Sequence, residues 1–141
     1  MRTLLLLTSL AVSPLVYSDM LDALKHYEQQ DYHKASTEFS ALLPLGNELA
    51  AFNLAVMHYK GQGNAADPVK ALAYFQLADR LGDKRAASLA TSVSATLEPA
   101  QQQQAAEQFQ ALLSTVQIDD LQDDKVDLTA LPEVISRKEP A

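Results

Sequence analysis

Apolar residues recur at helical spacing through the middle of the chain, and Gly and Pro cut that pattern into segments. The breakers are Pro44 with Gly46, Gly61 with Gly63, Pro68, Gly82 and Pro99. Between them Ala, Leu, Gln, Glu and Lys dominate, all good helix formers, and no stretch keeps up the Val/Ile/Thr alternation of a strand. The pattern predicts helices over about 20–30, 32–43, 48–60, 68–81, 84–96 and 99–114. Asp67 before Pro68 is a favoured N-cap and first-turn pair, and Gly82 suits a left-handed cap at the far end of the same helix. In the last segment Ala105, Phe109 and Leu112 fall on one face. Gln101–Gln104 supply a polar surface opposite, as on a solvated terminal helix.

A period lies under this pattern. Gly46 and Gly82 are 36 residues apart, as are Ala35 and Ala71, Phe39 and Phe75, Ala50 and Ala86, and Ala51 and Ala87. Self-similarity at that spacing marks helix pairs that cannot bury their apolar faces alone and stack to share a core. The segment 46–87, with Ala50, Leu54, Gly61, Gly63, Asp67, Ala71, Tyr74, Phe75, Ala78, Gly82 and Ala86, resembles the Sel1-like repeat family, a relative of the tetratricopeptide repeats. Upstream, Asp31, Tyr32, Ala35 and Phe39 look like a degenerate first repeat, and 97–109 looks like a terminal capping helix. The resemblance implies an all-α fold, a short α-solenoid of about three antiparallel helix pairs, with scaffolding or adaptor work. Ala55, His58 and Asp79 depart from the family's usual Gly, Tyr and Ala, and a polar pair of His58 and Asp79 at a helix interface is one expected consequence.

The ends read differently from the middle. Arg2 precedes an apolar run from Leu4 to Val16, and Val16 and Ser18 are small residues suited to a cut after Ser18. The run is shorter than the roughly 20 residues of a membrane span. We therefore expect 1–18 to be a signal peptide, 19–115 the repeat domain and 116–141 an acidic, irregular tail. The tail holds Asp119, Asp120, Asp123, Asp124 and Asp127 against Lys125, then the more apolar stretch 128–135, LTALPEVI, which can dock transiently on the helices. Export without any cysteine fits a bacterial periplasm, and excludes a disulfide framework or a thiol nucleophile.

Charge narrows the partners. The formal net charge is −7, and loss of Arg2 with the leader makes it more negative still. Nucleic acid needs Lys and Arg to displace counterions, and anionic lipid needs them to dock, so neither is expected as a partner.

Little in the chain suggests chemistry. The loop GQGNAA (61–66) matches a dinucleotide pattern, but that fingerprint requires a preceding strand, and here a helix precedes it. The simpler reading is a turn that needs glycine backbone angles. His26, His33 and His58 show no metal-ligand spacing, and no serine sits in a nucleophile elbow. The 119–127 cluster lacks the glycine and the alternation of a calcium loop. We expect no enzyme, no cofactor and no metal site.

Recognition is the remaining expectation. Ala51, Leu54, Ala55 and His58 form one stripe of the third helix, facing the core. Phe52, Asn53, Val56 and Tyr59 form another, joined by Leu24, Tyr27 and Glu28 of the first helix. Aromatic anchors among polar residues suit a protein or peptide partner, although Phe52 and Val56 at that spacing equally suit packing against the next repeat. The alternatives are self-association as a homo-oligomer in the cell envelope and binding of a metal or small ligand.

Overall fold

The computed structural model describes residues 14–117, whose regular elements are all helices, with no strand among them. The elements are α1 (Pro14–Glu28), α2 (Tyr32–Leu42), a 3-10 turn at Leu43–Leu45, α3 (Glu48–Lys60), α4 (Pro68–Leu81), α5 (Ala86–Ser94) and α6 (Pro99–Thr115). No helix among the described residues is long and apolar enough to cross a membrane. The expected leader lies outside the described residues up to 13, and the tail does so from 118 onward.

Local signals set most boundaries. Asn47 caps α3 and Asp67 caps α4, each accepting a backbone N–H three residues on, at 2.9 Å. Gly61 ends α3 and Gly82 ends α4, both at positive φ. Two boundaries differ from expectation. α1 begins at Pro14, six residues earlier than expected, because proline is well placed in a first turn and no breaker follows until Gln30. α5 is shorter than expected, since Asp83 engages the Arg85 backbone N–H and keeps the 82–85 segment in a turn.

Packing follows two helical hairpins, α1 with α2 and α3 with α4, joined by contact between α2 and α3. α3 lies inside the stack, which is why it is apolar on most of its circumference: Ala50, Ala51, Leu54, Ala55 and Met57 are all buried. α4 is the hub. It packs on α3, α5 and α6 and buries Val69, Leu72, Phe75, Leu77 and the alanines among them.

The third pair does not repeat the first two. α6 docks on α4 rather than lying along α5. It meets α5 at the turn, where the Gln102 side-chain amide donates to the carbonyls of Ser94 and Leu97. The consequence shows in the 36-residue period. Ala35 and Ala71, Phe39 and Phe75, and Ala50 and Ala86 are buried alike, but Ala51 is buried while Ala87 is exposed. α3 lies along α4, whereas α6 does not lie along α5 in the same way.

Candidate functional site

The two expected stripes of α3 are both present. Ala51, Leu54 and Ala55 face inward, with His58 half-buried beside them. Phe52, Asn53 and Val56 are half-buried on the outward side, and Tyr59 is 51% exposed.

The outward residues do different work. Phe52 meets Phe75 edge-to-face with ring centroids 5.7 Å apart, and the Arg85 guanidinium lies 4.1 Å from its ring centre. Arg85 is itself held by Asp83, donating from Nε at 3.0 Å and from Nη2 at 2.6 Å. These hydrogen bonds hold the largely buried Asp83 carboxyl below the usual carboxylate range. Phe52 is thus a packing residue that ties α3 to α4 and to the α4–α5 turn. Asn53 donates to the Leu49 carbonyl of its own helix. Val56 and Leu24 pack against the core.

Tyr27 belongs to a different cluster. Its ring meets Tyr32 edge-to-face at 5.5 Å, and its hydroxyl donates to Gln62 Oε1 at 2.9 Å. The Gln62 amide in turn reaches the Tyr32 hydroxyl. A Cβ on Gly63 would stand 3.1 Å from Tyr32 Cβ, so the glycine lets this loop lie close against the first hairpin. The GQGNAA loop is a helix-to-helix clamp. Of the seven residues expected to bind a partner, Tyr59 and Glu28 are the ones left exposed.

His58 and Asp79 do not pair. His58 stacks on Tyr74, with centroids 5.2 Å apart and planes 18° from parallel, while Asp79 is exposed. Burial first, and then the Lys70 charge, holds the His58 imidazole below its ordinary value. Burial raises the Tyr74 phenol.

Tyr74 also lines a groove of about 290 Å³ between α4 and α6, with Lys70, Gln108, Ala111, Leu112 and Thr115. A second groove of about 170 Å³ lies between α1 and α2, lined by Asp19, Asp22, Glu38, Ala41, Leu42 and Leu45. Sequence reasoning located neither groove. The trace of the first was the apolar pair Leu112 and Leu113, wider than a capping helix needs. Among the described residues, no three of His, Cys, Asp and Glu stand together as a metal-holding group. Ordinary ring stacking and capping account for His58 and Asp67.

These features define the class of protein no further than an all-α bundle of packed hairpins with exposed grooves. Neither a family model nor a curated protein matches the chain.

Proposed function

We propose that this is an exported interaction module of the Sel1-like kind, a short solenoid that holds a protein or peptide partner on the outward side of α3. The observation that carries the reading is Tyr59. It is a large aromatic left half in solvent, at the edge of a patch whose other apolar members, Phe52 and Val56, are already held rigid. A rigid aromatic anchor loses little side-chain entropy on binding, which is why such residues dominate interface energies. The 36-residue period and the like burial of Ala35 and Ala71, Phe39 and Phe75, and Ala50 and Ala86 support the repeat reading. The apolar run 4–16 supports export.

The test separates Tyr59 from Phe52. Tyr59→Ala should leave the melting temperature within a degree or two, because an exposed ring contributes little to folding. Phe52→Ala should destabilise by roughly 2–3 kcal/mol, since it opens space beneath Arg85 and beside Phe75. A photo-crosslinking side chain at position 59 should give a discrete adduct in the cell envelope, and the same group at Thr91, exposed on α5, should not. Equal labelling at both positions, or none at 59, would sink the reading. An adduct of twice the chain mass would assign the face to self-association instead.

A further inference from the structure

The two grooves differ in the way that matters for an acidic chain. The α1–α2 groove is rimmed by Asp19, Asp22 and Glu38. The lining of the α4–α6 groove contains no carboxylate, and its one charged residue is Lys70. Its floor is apolar, built from the Tyr74 ring, Ala111 and Leu112. At about 290 Å³ it sits at the small end of ligand pockets, suited to a few aliphatic side chains rather than a large cofactor.

The end of α6 sets what can reach it. Thr115 lines the groove, Val116 is buried, and the Gln117 N–H donates to the Pro44 carbonyl at 3.0 Å. Residue 117 is therefore held between the two grooves, two residues past Thr115 of the one and against Pro44, the neighbour of Leu45 in the other. Residues 118–127 carry five Asp and one Lys, and 128–135 (LTALPEVI) carry Leu128, Leu131, Val134 and Ile135 with Glu133 among them. Eleven residues from 117 to 128 can extend roughly 36 Å, more than the ~25 Å length of α6. Tethering of this kind gives an effective concentration on the order of millimolar, so weak apolar contact is enough to populate a bound form.

We infer that the α4–α6 groove is the docking site of the chain's own segment 128–135, with aliphatic side chains against Tyr74, Ala111 and Leu112 and an acidic flank facing Lys70. The carboxylates that rim the α1–α2 groove disfavour the same acidic stretch there. This assignment stands apart from the α3 reading, because it concerns a different surface and a different occupant.

The chain has no cysteine, so a single one can be labelled cleanly. A nitroxide on Thr129→Cys in the full chain should broaden the amide resonances of 70–74 and 108–115 and leave those of 19–22 and 41–45 sharp. Ala111→Glu, at an exposed position, sets a carboxylate in the groove and should abolish the broadening without changing the rest of the spectrum. Broadening that is absent from the α4–α6 groove, or that survives Ala111→Glu, would overturn the assignment. So would broadening that appears only when labelled chain is mixed with isotope-enriched, unlabelled chain, which would place a second copy in the groove.

Discussion

Backbone angles carry the sharpest single-residue consequences. Gln30 holds φ at 61°, the one non-glycine residue at positive φ among those described, at the end of α1. Gly61 holds φ at 69° at the end of α3, and a Cβ there would stand 2.9 Å from the Ala66 backbone nitrogen. The two sites predict opposite outcomes. Gln30→Gly should stabilise by about 0.5–1 kcal/mol, and Gly61→Ala should destabilise by about 1–3 kcal/mol, both readable from urea midpoints. A loss of stability in the first variant would mean that the Gln30 side chain contributes more than its backbone costs. His58 gives the pH dependence. Its folded form resists protonation, whereas the unfolded chain takes a proton near the ordinary value of 6.5. Its contribution is therefore complete above 6.5 and is lost as pH falls through that value toward the lower folded one. Between pH 7.5 and 5.5 the native chain should lose more stability than His58→Phe. His26 and His33 are present in both chains, so the difference isolates His58, and equal losses would refute the burial argument.

Among the elements, α6 has the most to explain. A capping box of Glu98 and Gln101 sets its start, and Gln102 bonds back to the end of α5. The glutamine run is exposed, as its composition suggests, yet Gln101, Gln102 and Gln103 all have partners that composition does not reveal. α6 then covers α4 with Ala105 buried and Phe109, Leu112 and Leu113 half-buried, and Val116 closes over Gly46 and Leu81. Each large apolar side chain so covered contributes roughly 1–3 kcal/mol, against a total stability of about 5–15 kcal/mol for a domain. A chain ended at residue 97 should therefore lose its cooperative thermal transition by circular dichroism, while one ended at 117 should keep it. A cooperative melt in the shorter chain would show that the α1–α4 hairpins stand alone.

At the scale of the molecule, stacking is regular for two hairpins and then changes. α2 hands on to α3 and α4 to α5, as the period implies, but α6 folds back onto α4. That choice covers the hub helix, which would otherwise present an apolar side to water, and it leaves α5 covered on one side. It also creates the α4–α6 groove, so the surface assigned to the segment 128–135 exists because α6 packs on α4 and not along α5. Local charge bears on the same scale, since Lys70 at one groove and Asp19, Asp22 and Glu38 at the other sort the two for an acidic segment.

Helix existence, the Asp67–Pro68 start and Gly82 end of α4, and the buried members of the 36-residue period were legible along the chain, because spacing, proline and the glycines act within a turn or two of themselves. The division of α3 into an inner and an outer stripe was legible for the same reason. What Phe52 and Tyr27 touch was not, since Phe75, Arg85, Tyr32 and Gln62 reach them only after hairpins have packed. The seating of α6 on α4, and both grooves with it, depended on which apolar face most needed cover, a comparison that only a folded chain can make.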